Sequence, residues 1–131
     1  EGTPVLREDL GAGKEEKVYR SRGFDVFNEN LDMVVLIDGG SASASEILAG
    51  ALKDNGIATI VGTPSFGKGS VQELLSITNN TSLKVTIARW MTPNGISISN
   101  EGLIPDIEIE YDPDTDIDEQ LEGAAELLLS R

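Results

Sequence analysis

The spacing of apolar and polar positions changes several times along this chain, and each change marks an element. Residues 3–7 and 16–20 read as two short strands joined through a Gly11-Ala12-Gly13 turn. After a polar linker through Asn28, Glu29 and Asn30, residues 33–37 (Met-Val-Val-Leu-Ile) are continuously apolar and β-branched, as expected of a central strand buried on both faces. Asp38-Gly39-Gly40 then turns the chain. From Ser43 to Asn55 the pattern is helical, with Ile47 and Ala51 on one stripe, Leu48 and Leu52 beside it, and Asn55-Gly56 as the C-cap. A second apolar strand, 57–61, follows at once. Strand, helix and strand within about thirty residues form a parallel crossover unit.

A glycine-rich loop at 62–69 leads into two more strands, 71–78 and 83–90, whose link at 79–82 suits a hairpin turn. Asn79 and Asn80 also fit the glycosylation pattern, to which we give no weight. Pro93-Asn94-Gly95 is a further turn, Ile96 and Ile98 alternate with serines, and Ile104, Ile107 and Ile109 mark a short late strand. From Asp118 onward, Leu121, Ala124, Ala125 and Leu128 outline a closing amphipathic helix. The pattern therefore predicts an α/β domain over residues 1–131, with a hairpin and linker at 1–30, a core at 31–111, and an acidic linker and helix at 112–131.

Composition narrows the function. A length of 131 residues suits one domain. The longest clear apolar run has five residues, far short of the roughly 20 a membrane helix needs, so the chain reads as soluble. The N-terminus shows no signal-peptide pattern. The absence of cysteine excludes disulfides, thiolate zinc sites and cysteine nucleophiles. A net charge of −13 argues against a nucleic-acid partner, whose phosphates it would repel. Much of that charge lies between Asp106 and Glu119, where eight carboxylates alternate with other residues. This run reads as a solvated edge and linker, since it lacks the spacing of an EF-hand calcium loop.

With no histidine and no cysteine, a nucleophilic enzyme built on this chain must pair Ser or Thr with Lys or a carboxylate. The candidate nucleophile lies in Gly39-Gly40-Ser41-Ala42-Ser43-Ala44-Ser45-Glu46, a strand-to-helix turn of small residues like a nucleophile elbow without its usual sequence. Ser43 would sit at the positive end of a helix, where free N–H groups such as that of Ala44 can stabilise an oxyanion. The same Ser43-Ala44-Ser45-Glu46 is also a well-formed capping box, in which the hydroxyl only satisfies the Glu46 amide. The residues alone leave both readings open.

The candidate base is Lys68, set between Gly67 and Gly69. Desolvation there would lower its pKa and let it accept a hydroxyl proton near neutral pH; the plainer reading is an exposed loop lysine. Gln72, four residues on, can orient that amine through its side-chain carbonyl. Gly62, Gly67 and Lys68 also fit a phosphate-binding loop, Gly-x-x-x-x-Gly-Lys. However, position 69 is Gly where a Ser or Thr must hold magnesium, and 71–75 continues as a strand where a helix is needed, which disfavours nucleotide binding.

Taken in order, several segments resemble the C-terminal processing (tail-specific) peptidases, serine peptidases of the S41 type with a Ser-Lys dyad. They are Ser41 through Ile47, Gly62-Thr63 with Ser65-Phe66-Gly67-Lys68-Gly69 and Val71-Gln72, Thr92-Pro93-Asn94-Gly95, and Gly102 through Ile107. The resemblance implies that Ser43 is the nucleophile, Lys68 the base and Gln72 its support, and the family's spacing of twenty-five residues from nucleophile to lysine is met. It implies a crotonase-like protease core, a mixed sheet with repeated β-β-α units flanked by helices. It also implies acyl-enzyme cleavage of poorly folded polypeptides near their C-termini, without metal or cofactor, in an extracytoplasmic compartment such as periplasm or cell envelope.

The family's PDZ domain and its Asn-Pro-Gly-Gly turn, which supplies a second oxyanion donor, do not occur in these residues. Glu1 would fall in the middle of the family's core, so the chain reads as a truncated piece expected to lack activity alone. The alternative is a non-catalytic peptide-binding or subunit-interaction domain of the same fold. Its sheet edges would favour a homo-oligomer or strand-exchanged dimer.

Overall fold

A computed structural model describes residues 1–24 and 31–130; the linker through Asn28, Glu29 and Asn30 lies outside the described residues. β1 (Pro4–Asp9) and β2 (Lys17–Arg20) form the expected antiparallel hairpin. β3 (Val34–Ile37), α1 (Ala44–Asp54) and β4 (Thr59–Gly62) form the crossover unit, with β3 and β4 parallel. β5 (Ser70–Thr78) and β6 (Thr81–Met91) make a long hairpin, and β7 (Ile107–Glu108) and α2 (Glu119–Leu129) complete the chain.

The class is α/β, and the strands divide between two sheets. One is antiparallel in the order β2-β1-β6-β5, the other parallel in the order β3-β4-β7. The expectation that 33–37 is a central strand is corrected by this order. Among the described residues β3 pairs only with β4 and is an edge, with Leu36 39% exposed. An unbroken apolar run does not distinguish a middle strand from an edge strand whose face is covered, and here the middle place belongs to β4. Ile60 and Val61 of β4 are fully buried, and Ile60 joins Ile37, Ala49 and Leu103 in the core. Burying a side chain such as Ile60 contributes about 2–3 kcal/mol.

The helix stripe also differs from its expected position. The buried face of α1 is Glu46, Ala49, Gly50 and Ala51, while Leu48 is 61% exposed. A stripe of small residues lets α1 lie close to its neighbours: a Cβ at Gly50 would come within 3.1 Å of the Thr92 methyl. α1 packs on β1 and β4, and α2 on β3 and β4. The α2 stripe is shallow, with Ala124 buried and Leu121 exposed.

The link between β5 and β6 shrinks to Asn79-Asn80, since pairing runs to Thr78 opposite Thr81. β1 meets β6 only at Arg7–Asp9 opposite Arg89–Met91. Beyond that point the hairpin projects, leaving Leu74, Ile77 and Leu83 more than half exposed. At its base, Trp90 makes an edge-to-face contact with Tyr19, whose hydroxyl donates to the buried Glu8 at 2.7 Å.

The late strand is two residues long, and Pro105, which has no N–H, cannot extend its ladder upstream. Asp106 ties this segment to β4 and α1. Its N–H donates to the Ile60 carbonyl, and its carboxylate accepts from the Ile60 N–H at 2.8 Å and from Lys53 at 2.9 Å. Burial alone would raise the Asp106 carboxyl, but the Ile60 N–H and the Lys53 ammonium outweigh it and hold the pKa below the ordinary value.

Candidate functional site

Parallel pairing brings the two candidate loops to one end of the sheet. Ile37 stands beside Gly62, so the turn that starts at Asp38 and the loop that starts at Thr63 leave neighbouring strands at their carboxyl ends. This is where open α/β sheets place their ligands. Gly62 has φ 126°, and any Cβ there would run into the Ile37 carbonyl, so this close approach needs glycine. An open cavity of 410 Å³ lies at the same end, walled by Asp38, Thr63, Glu110, Tyr111, Asp118 and Gln120.

The turn that carries the candidate nucleophile is built by Asp38. Its Oδ1 accepts from the Gly40 N–H, the Ser41 N–H and the Ser41 hydroxyl at 2.9, 3.0 and 3.1 Å. The chain then reaches Ser43 with φ 56° and ψ −110°, immediately before α1 begins at Ala44. For a residue with a Cβ this conformation costs about 1–3 kcal/mol and persists only where the surroundings impose it. It is the sharp strand-to-helix turn that lifts a side chain out above the sheet. Ser43 is half-buried, and Ala44 is the exposed first residue of the helix, where the N–H has no helical acceptor.

Ser43 and Glu46 stand in the capping-box arrangement, but the hydroxyl makes no cap hydrogen bond. The carboxylate half is the well-made one, with Glu46 Oε2 accepting the Ser43 N–H at 2.7 Å. The same Oε2 accepts the Lys68 N–H at 3.1 Å, and Oε1 accepts the Ser65 hydroxyl and the Gly67 N–H, each at 2.6 Å. Glu46 is 0% exposed, and no salt bridge reaches it among the described residues. A carboxylate withdrawn from water this far needs full compensation. Four donors and the positive end of α1 supply it, each such bond being worth about 1.5–3 kcal/mol.

The Lys68 loop is pinned along its whole length. Phe66 N–H donates to the Ser41 carbonyl at 2.9 Å, which joins this loop directly to the Ser43 turn. Ser65 N–H donates to the Leu103 carbonyl, and Asn100 N–H donates to the Gly67 carbonyl, both at 3.1 Å. At Gly67, φ is 86° and a Cβ would come 2.7 Å from the Asn100 carbonyl oxygen; at Gly69 it would come 2.6 Å from the Ser99 nitrogen. The glycines flanking Lys68 are thus required by the turn segment 97–103 against which the loop lies. Lys68 itself is exposed. Beyond it the chain enters β5, where Gln72 is exposed opposite Thr86. No helix follows the loop, so the geometry of a phosphate-binding loop is missing.

The structure therefore brings the backbones of Ser43 and Lys68 to one carboxylate oxygen, with Ala44 next to the first and Gln72 four residues beyond the second. Sequence reasoning took Glu46 for a capping residue and passed over its burial and its reach to the second loop. A usable signal was its position three before Ala49 and four before Gly50, on the small-residue face that packs inward. Ser65 gave no signal of its own.

Comparison with known proteins agrees with this geometry. Residues 2–109 match the model of peptidase family S41. The chain is 56% identical over 78 residues to a carboxy-terminal-processing protease of Bartonella bacilliformis, a stretch covering 60% of this chain and 18% of that protein. It is 50% identical over 76 residues to the carboxy-terminal processing protease CtpB of Bacillus subtilis, covering 58% of this chain and 16% of the relative. Among solved structures, a photosystem II D1 C-terminal processing protease superposes with a TM-score of 0.76 at 33% identity, covering 97% of this chain and 32% of the other. The chain thus spans less than a fifth of the length of these two curated relatives. With its turn, its glycine-pinned lysine loop and this match along most of its length, the chain belongs to peptidase family S41.

Proposed function

We propose that this chain carries the nucleophile and base of a serine endopeptidase that cleaves polypeptides near their C-termini. The observation that carries the reading is the strained Ser43 turn, φ 56° and ψ −110°, held through Glu46 to the backbone of Lys68. Strain of this kind concentrates where a side chain is presented for chemistry. The Bartonella bacilliformis and Bacillus subtilis relatives are named as processing proteases, and that activity is extended here to this chain.

In the proposed reaction the neutral Lys68 amine takes the Ser43 hydroxyl proton as Oγ attacks the peptide carbonyl carbon. The charge on the carbonyl oxygen is met by the Ala44 N–H. Lys68 returns its proton to the leaving amine as the C–N bond breaks, leaving an ester on Ser43. Water, deprotonated by Lys68, attacks that ester, and as the ester C–O bond breaks Lys68 passes the proton to Oγ, freeing the acid and restoring the serine. Gln72 orients the lysine amine.

An extended polypeptide fits the outer edge of β5, which among the described residues is unpaired over nine residues starting just after the lysine loop. The same edge supports a homo-oligomer or strand exchange, which sedimentation velocity checks. Relatives include chloroplastic processing peptidases, and we place this chain outside the cytoplasm.

Labelling with a fluorophosphonate tests the dyad in the protein that contains this chain. Wild type is expected to be labelled at Ser43, and both Ser43→Ala and Lys68→Ala to lose labelling and polypeptide cleavage while keeping their circular dichroism. Labelling that survives in Ser43→Ala, or an unchanged rate in Lys68→Ala, rejects this assignment.

A further inference from the structure

We infer that Ser65 is a positioning residue of the Ser43–Lys68 site, acting through Glu46; the inference rests on the dyad assigned above. Ser65 is 7% exposed, and its hydroxyl has one partner on each side. It accepts the Leu103 N–H at 2.7 Å and donates to Glu46 Oε1 at 2.6 Å.

A hydroxyl has a single proton and a freely turning O–H bond, so its direction is set by its neighbours. Here the Leu103 N–H occupies the acceptor side, which leaves the proton one useful target, the Glu46 carboxylate. The result is a one-way chain from Leu103 N–H to Ser65 O–H to Glu46, and from Glu46 to the Ser43 and Lys68 amides. Ser65 also gives its own N–H to the Leu103 carbonyl at 3.1 Å, so its backbone is held in register with residue 103 from both directions. Gly102, at φ 72°, allows the close approach, since any Cβ there would meet the Ser65 carbonyl.

The lysine loop itself reaches Glu46 through two backbone amides, those of Gly67 and Lys68. Among the described residues Ser65 supplies the one side-chain donor to this carboxylate. Its hydroxyl also bonds the Leu103 amide directly, which ties the carboxylate to a residue of the core. When that hydroxyl is removed, Oε1 keeps only the Gly67 amide, and the carboxylate is free to rotate toward it. Oε2 then moves relative to the Ser43 and Lys68 amides, and the distance between nucleophile and base changes with it. A shift of about 1 Å between reacting groups costs about 100-fold in rate.

The test compares Ser65→Ala, which deletes the hydroxyl, with Ser65→Thr, which restores it, in the protein that contains this chain. In Ser65→Ala, kcat and the fluorophosphonate labelling rate are expected to fall about 10- to 100-fold, with KM within about twofold because no substrate contact is lost. Ser65→Thr is expected to recover most of the rate. A Ser65→Ala protein with a lowered Tm and an unchanged labelling rate would show that the serine only packs, and would overturn the inference.

A second measurement does not depend on activity. The backbone ¹H–¹⁵N resonances of Ser43, Gly67 and Lys68 are expected to shift in Ser65→Ala and return toward wild type in Ser65→Thr; amides that stay in place reject the positioning role. If wild type itself takes no label, the dyad fails while the amide shifts still decide whether Ser65 holds Glu46.

Discussion

Glu46 Oε2 lies 2.7 Å from the Ser43 backbone nitrogen, and the carboxylate that holds the strained serine in this way is fully buried. The bond fixes the entry into α1 from inside the helix's own first turn. Since the other contacts of Glu46 belong to the lysine loop, its replacement should loosen both halves of the site at once.

In Glu46→Gln the shape is kept, but one end of the side chain becomes an NH₂ facing existing donors. Two buried donors then lose their acceptor, at about 1–3 kcal/mol each. Urea denaturation is expected to show a loss of about 2–4 kcal/mol, and fluorophosphonate labelling of Ser43 to slow by about 10-fold or more. Stability within about 0.5 kcal/mol of wild type, the spread of an ordinary surface substitution, would mean that the carboxylate is not the tie described here.

Ser43 occupies a backbone conformation that glycine adopts freely. Ser43→Gly is therefore expected to be more stable than Ser43→Ala by about 1 kcal/mol, since alanine keeps the Cβ and its strain. Thermal melts of the two variants side by side provide the comparison. Equal stability would indicate that the turn relaxes when the hydroxyl is removed.

Gly67→Ala places a methyl 2.7 Å from the Asn100 carbonyl oxygen, at a residue with φ 86°. The loop must either shift or unfold locally. A loss of about 2 kcal/mol or more is expected, with the Lys68 amide resonance displaced and labelling of Ser43 slowed. An alanine tolerated without any of these changes would show that segment 97–103 does not brace the loop.

The Asp106 carboxyl lies below its ordinary value of 3.8, because the Ile60 N–H and Lys53 favour its charged form more than burial opposes it. A depressed folded-state value means that the unfolded chain takes up the proton first as pH falls. The stabilisation is thus complete above about pH 4 and is lost as pH drops through the lower folded value. Asp106→Asn is expected to be less stable than wild type at pH 7, with the two converging in acid, a difference kept modest by partial exposure to solvent. Urea midpoints measured at several pH values give the slope, and parallel curves would remove Asp106 from the acid limb.

Much of this protein was legible along the chain, for reasons that are local. The crossover unit and the β5–β6 hairpin follow from period and turn chemistry, and the helix ends at Asn55-Gly56 because a glycine at φ 67° closes it. The family is legible in short stretches around Ser43 and Lys68, and those stretches single out Ser43, Lys68, Ala44 and Gln72 as candidates. What only the tertiary structure decided is non-local. That β4 and not β3 is the middle strand depends on β7, which arrives some forty-five residues after β4. That a helical glutamate faces inward could not be read from a capping box, because the partners that make its burial tolerable, Ser65, Gly67 and Lys68, lie nineteen to twenty-two residues away. Local sequence sets the conformations each segment can adopt, whereas a buried charge is permitted only when distant segments bring enough donors to replace its water.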